Sequence, residues 1–288
     1  GKSITFEAVL GILDSPPGVV TGGTAVFEGE DLFAKSAAER RAICGNRIGM
    51  IFQDPLSALN PVYTVGWQIA EMLQVHRGVA KAEAHKRAVE LLDLVGIPDP
   101  AKRADNYPHE FSGGMRQRLV IAMALATDPV LVVADEPTTA LDVTVEAQIL
   151  ALLKNLQRDK GVGLVIITHS MGVVAEIADA VCVMYAGRIV ETADVNAIFE
   201  APSHPYTLGL LNSNPHRMAG QRLTPITGQP PDLANIPSGC PFHPRCTFAQ
   251  DICRRDDPVL DPGPAEGHRV ACHFSDAVRA NSKPKALA

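Results

Sequence analysis

Two short apolar runs, VLVVADEP (residues 130–137) and GLVIITH (residues 163–169), flank the amphipathic stretch TVEAQILALLKNLQRDKG. This order constrains the fold more than any other feature of the chain. A strand that stays apolar throughout must be covered on both faces, and that happens in parallel sheets with helices on each side. Strand, amphipathic helix, strand is the repeating unit of such α/β architectures. Neither run approaches the ~20 apolar residues that a membrane-spanning helix needs.

Other segments fill in around this unit. RIGMIFQ reads as a further strand, and AVCVMYAGRIVETA as a hairpin with Gly187 near its turn. VVTGGTAVFE, residues 19–28, reads as two strands around a Gly-Gly turn. From about residue 64 to 130 the pattern is helical: in KAEAHKRAVELLDLVGI, the residues Ala84, Ala88, Leu91, Leu92 and Val95 share one face, and Gly96 with Pro98 stops the helix. Past residue 200, prolines and glycines become frequent and periodicity fades, which places a domain boundary there. With 46% hydrophobic and 20% charged residues among 288, the composition is that of an ordinary globular protein. A net charge of −6 supplies no general basic field for gripping nucleic acid.

The chemistry-bearing residues are spread along this frame. LVVADEP delivers Asp135 and Glu136 to the C-terminal end of a buried strand, where open α/β sheets bind ligands. One carboxylate can hold a Mg²⁺ that bridges phosphates while its neighbour orients or deprotonates a water. Ser112, Gly113 and Gly114 directly precede an apolar-periodic run, so they open a helix whose free N–H groups favour an anion. Gln53 and His169 follow strands, and the chain opens with Gly1, Lys2 and Ser3, the tail end of a phosphate-binding GxxxxGK[ST] loop.

Taken in order, GKS, Gln53, SGG, Asp135-Glu136, the Asp142-bearing turn TTALD and His169 form the series of an ABC-type ATPase. The chain resembles the nucleotide-binding subunits of ABC transporters, and FQDPLSALNP, SHPYT at 203–207 and the Cys-rich tail resemble the oligopeptide/dipeptide/nickel importer branch. Phe111 and Met115 stand where the common signature has Leu and Gln, a variation seen in that branch.

The resemblance implies a P-loop NTPase α/β core with antiparallel β and helical subdomains. It covers residues 1–200, with the helical part at about 54–130, and a small Cys-rich extension occupies 201–288. Lys2 then neutralises the β/γ-phosphates, and Ser3 and Asp135 serve Mg²⁺. Glu136 is the catalytic base, His169 contacts the γ-phosphate, and Gln53 senses Mg²⁺ and the transmembrane partner. Asp142 reaches a second ATPase subunit, and Ser112, Gly113 and Gly114 bind the γ-phosphate held by that subunit. ATP hydrolysis at the cytoplasmic face of the cell membrane would power import of peptides or nickel through two permease subunits, fed by an extracytoplasmic substrate-binding protein. In that family a buried strand precedes the P-loop; about five core side chains at ~1.5–3 kcal/mol each rival the ~5–15 kcal/mol stability of a domain. The natural protein is therefore expected to continue upstream, into a segment that carries the aromatic residue stacked on adenine. The competing reading, a non-transport ABC ATPase of DNA repair or chromosome maintenance, asks for long coiled-coil insertions or a basic track, and the sequence has neither.

Cys240, Cys246, Cys253 and Cys272 crowd the tail at wide, Pro-punctuated spacings. Structural zinc sites usually include a close pair of cysteines, so this spacing suits a four-iron cluster better, and similar tails in peptide-importer ATPases are associated with one. Zinc with His243 or His273 substituting, and free thiols, stay open. Cys44 and Cys182 read as small buried hydrophobes.

Overall fold

The computed structural model describes residues 1–139, 141–214, 224–263 and 265–282. Two compact units divide the chain: Ser3–His169, and the residues from Ser170 onward together with Gly1–Lys2.

The first unit takes in α1 (Lys2–Leu10) from Ser3 onward, continues through the two-residue strands β1 (Val26–Phe27) and β2 (Glu30–Asp31), and reaches α2 (Ala37–Ile43). Ser36 and Glu39 close a capping box at the start of α2, matching two orphan backbone N–H groups. Then β3 (Ile48–Ile51), β4 (Leu131–Asp135) and β5 (Gly163–Ile167) form a parallel sheet with β4 in the middle. Between β3 and β4 the chain inserts α3 (Pro55–Ala58), α4 (Val65–Arg77), α5 (Lys81–Leu94), α6 (Pro100–Arg103) and α7 (Gly113–Leu125), and α8 (Val143–Lys160) crosses from β4 to β5. The parallel strand–helix–strand unit anticipated from the apolar runs is thus present.

Packing in the helical insertion follows its periodicity. Ala84, Ala88, Leu91, Leu92 and Val95 are all fully buried, and α5 ends where Gly96 turns the chain at φ +74°. Sheet and helices meet most tightly at Gly49 of β3: a Cβ there would collide with the backbone carbonyl of Ala124 at the end of α7. Only a glycine lets the strand lie that close.

The N-terminal hairpin differs from the expectation. Gly22 and Gly23 do not form its turn; Val26–Phe27 pairs with Glu30–Asp31 around Glu28 and Gly29, both at positive φ (51° and 85°). Two consecutive left-handed residues give the tight turn that matches strand twist. Val19 and Val20 stay exposed and unpaired in any strand, so their alternation with polar residues marked no buried face.

The second unit holds α9 (Met171–Ile177), β6 (Ala180–Tyr185), β7 (Arg188–Asp194), α10 (Val195–Glu200), α11 (Pro205–Asn212), α12 (Asp251–Arg255), β8 (Asp261–Pro262), β9 (Arg269–Val270) and α13 (Ser275–Ser282). Its antiparallel sheet runs in the order β6-β7-β9-β8. The β6–β7 hairpin turns at Ala186 and Gly187, again both left-handed. Val183, Tyr185, Val190, Ala193, Ile198 and Phe242 form its core.

Replacing Gly49 with Ala should lower stability by about 1–3 kcal/mol, the usual cost of overpacking, because the obstructing atom is backbone. A denaturant midpoint equal to that of the unsubstituted chain would contradict this packing.

Candidate functional site

The chemistry of the first unit converges where β4 runs out. Asp135 is the last residue of the strand, and it is buried at 5% exposure. Among the described residues its Oδ1 has no hydrogen-bond partner, which is costly for a carboxylate unless a ligand or water shell completes it. A hydrated cation is the kind of group that this oxygen fits.

Glu136, next in the chain, sits at φ +45°, a left-handed conformation that costs an L-residue roughly 1–2 kcal/mol. Such strain persists where surrounding bonds over-determine it, typically at functional sites. Here its N–H donates to Ile167 O of the neighbouring strand end (2.8 Å), and its carbonyl accepts from Thr139 N (3.1 Å). The side chain is fixed as well: Oε2 accepts from Gln53 Nε2 (3.0 Å) and from Thr139 Oγ1 (2.9 Å). Oε1 lies 3.2 Å from Nδ1 of His169, whose ring is largely exposed. Gln53, Glu136 and His169, drawn from three parallel strand ends, are thereby brought into one hydrogen-bonded group.

Two helix starts lie elsewhere in this unit. Ser112 caps α7, its Oγ accepting from Met115 N (3.4 Å), and Asp142 caps α8, its Oδ1 accepting from Val145 N (3.0 Å). The two helices touch at Gly114, where a Cβ would come within 2.6 Å of Val145 Cγ1. Gly113 is open, with nothing near its missing side chain. Lys2 and Ser3 form the first turn of α1 behind Gly1, so the GKS run opens a helix as expected.

In the second unit Cys240, Cys246, Cys253 and Cys272 line one small pocket together with Phe242, Phe248 and Phe274. All are free thiols. Phe248 N donates to Cys246 Sγ (3.3 Å) and Phe274 N to Cys272 Sγ (3.4 Å). Burial raises the Cys240 thiol, pushes Cys246 up to about 11 and pushes Cys272 up to about 12, outweighing those two N–H donors. Among the described residues no three His, Cys, Asp or Glu side chains converge to hold a single metal ion. His243 Nδ1 and His273 Nε2 each lie against a backbone carbonyl, of Cys240 (3.0 Å) and Asp256 (2.9 Å). Cys182 departs from expectation: it is exposed on β6, with Sγ 3.3 Å from Thr192 Oγ1, while Cys44 is half-buried.

Beside that pocket lies a buried polar centre. The Glu191 carboxylate, wholly buried on β7, accepts from Ser203 N (2.7 Å) and His204 N (3.0 Å) and lies 2.9 Å from His268 Nε2. SHPYT is therefore an anchored joint, with His204 capping α11 through Nδ1.

Residues 1–139 match the family model "ABC transporter", and residues 190–253 match "Oligopeptide/dipeptide transporter, C-terminal region". The oligopeptide transport ATP-binding protein OppD of Bacillus subtilis is 54% identical over 262 residues, covering 90% of this chain and 73% of that protein. The dipeptide transport ATP-binding protein DppD of Escherichia coli is 49% identical, over 95% of this chain and 84% of its own. The chain belongs to the ATP-binding subunits of oligopeptide/dipeptide ABC transporters. A dimeric ATP-binding cassette solved in a post-hydrolysis state with ADP and Pi has a TM-score of 0.58 to this ABC ATPase, with 27% identity over 68% of this chain and 82% of that one. Family membership sets aside the repair-type alternative.

Within this ABC ATPase no helix of the described residues is long and apolar enough to cross a membrane. Sequence reasoning overlooked Thr139, whose hydroxyl holds Glu136, and Thr138, whose hydroxyl donates to Glu146 of α8 (2.9 Å). The TT after DEP was the available signal. It also overlooked Glu191, for which the sequence offers no signal, because its partners lie in remote segments.

Glu191→Ala should cost about 3 kcal/mol or more, since each buried donor left unmatched costs roughly 1–3 kcal/mol. Thermal unfolding measures the loss; an unchanged melting temperature would mean that Ser203, His204 and His268 find other partners.

Proposed function

We propose that this chain hydrolyses ATP to drive peptide import, working as one of two ATPase domains that hold two nucleotides head to tail between them. The observation that carries the reading is Glu136, strained at φ +45° and tied by Gln53, Thr139 and His169 beside the unmatched, buried Asp135.

Each residue has a task in this reading. Lys2, with Gly1 and the helix start behind it, places positive charge against the β/γ-phosphates. Asp135 and Ser3 would hold a magnesium ion, which would supply positive charge against that developing on the phosphates. Asp135 holds the cation through its water shell, and Ser3 supplies a hydroxyl ligand. Glu136 takes the proton from the attacking water, and its hydrogen bonds fix the carboxylate where the water must lie. His169 contacts the γ-phosphate. Gln53 donates to an oxygen of Glu136 and lies two residues past the end of β3, so it can report the state of the site to the transmembrane partner. Ser112, Gly113 and Gly114 present open N–H groups to the nucleotide of the second subunit, and Asp142 reaches across beside them.

The partners follow from relatives that are named for oligopeptide and dipeptide transport. They are a second ATPase subunit, two permease subunits that hold this chain at the cytoplasmic face of the membrane, and a substrate-binding protein on the far side. Residues 1–200 carry the ATPase and 201–288 the extension. The fold runs across that functional boundary, since β9 pairs with β7.

We further propose that the four tail cysteines hold a four-iron cluster. Support comes from four thiols lining one aromatic-walled pocket. Backbone N–H groups aimed at two of the sulfurs fit an anionic iron–thiolate body. When bound, the cluster supplies iron–thiolate bonds that cross-link a tail otherwise made of loops and short elements.

In the assembled transporter, Glu136→Gln should lower phosphate release roughly 10²–10⁴-fold, the usual contribution of a general base, and ATP-bound paired domains should accumulate. Unchanged turnover would remove Glu136 from the role of base. Replacing Ser112 in both subunits should likewise slow turnover; indifference to that change would sink the composite site.

A further inference from the structure

His204 is only 1% exposed and is held from several sides. Its backbone N–H donates to Glu191 Oε2 (3.0 Å), its Nδ1 accepts from Tyr206 N (3.0 Å), and its ring lies against Phe242 with centroids 5.8 Å apart. These contacts settle the tautomer. Burial pushes the imidazole pKa down to about 3, so the ring is neutral. A neutral imidazole whose Nδ1 accepts carries its proton on Nε2.

That Nε2–H is a donor fixed in place, and no acceptor for it is found among the described residues. The ring borders the pocket that the four cysteines line. Capping α11 explains Nδ1 but leaves Nε2 without a task. An asparagine would cap as well and would be the commoner choice at that position.

We propose that His204 is a positioning residue for the sulfur-bound group of this pocket: its Nε2–H donates to sulfur of the iron–sulfur cluster and raises the cluster's reduction potential. The proposal rests on the cluster reading above. A donor aimed at sulfur stabilises the more negative, reduced cluster, and hydrogen bonding to sulfur is among the protein's main means of setting such potentials. His204 would join the Phe248 and Phe274 N–H groups, adding a side-chain donor to two backbone donors. Because Glu191 binds the His204 backbone and the β7–β9 sheet together, the donor's place is set by the fold of the unit and does not depend on the cluster alone.

Two substitutions separate donation from support. His204→Asn keeps an oxygen where Nδ1 caps α11 and removes the ε donor, whereas His204→Gln keeps an N–H near the ε position and gives up the cap. The full chain would be purified without oxygen, its iron and acid-labile sulfide quantified, and its midpoint potential read by spectroelectrochemistry. The expected result is a cluster in all three proteins, a negative shift of potential in His204→Asn, and a potential close to the wild-type value in His204→Gln. Equal potentials in all three, or equal shifts in both variants, would overturn the donor role while leaving the cluster standing. Wild-type protein free of iron and sulfide would overturn the cluster reading and the proposal with it.

Discussion

A parallel strand covered on both faces can expose polar groups only where it ends, and this requirement governs the first unit. β4 lies between β3 and β5, and Val132, Val133 and Ala134 are buried to 2% or less. One group of polar residues is displaced to the ends of the three strands: Gln53 after β3, Asp135 and Glu136 at the end of β4, His169 after β5. The parallel register puts these ends side by side. Convergence of the site is thus a by-product of strand direction, and the left-handed turn at Glu136 is what points a carboxylate sideways toward its neighbours.

The second unit answers a different problem. Its tail has short elements, and buried polar groups help to tie it down. Glu191 is the centre: one carboxylate on β7 receives the backbone of the SHPYT joint and the ring of His268 near β9. A buried acceptor is favourable only when it is matched this fully. The same contacts hold the histidine that borders the cysteine pocket, so sheet, joint and pocket share one anchor.

Much of this was legible from sequence, for identifiable reasons. Strands β3, β4 and β5 and helices α5 and α8 declare themselves by apolar runs and periodic faces, and Gly96 and Gly161 stop their helices in left-handed conformations. Asp135, Glu136, Ser112 and Asp142 could be placed because each sits at the boundary of a readable element. Residues 19–28 were misread because Gly22-Gly23 is as good a turn signal as Glu28-Gly29, and only pairing partners decide between them. Glu191 was invisible: in RIVETA it looks like an outward-facing strand residue, and its partners lie 12, 13 and 77 residues away. Thr139 was visible as a residue but not as a contact, since its bond depends on the unusual backbone of Glu136.

The near-contact of Gly114 with Val145 bears on how the two helix starts behave. A bare α-carbon resting on a branched side chain leaves less than a methyl group of play between α7 and α8. Val145 fills the space that a side chain at position 114 would need. Any side chain larger than glycine's at position 114 would therefore push apart the two helix heads, the serine of one and the aspartate of the other.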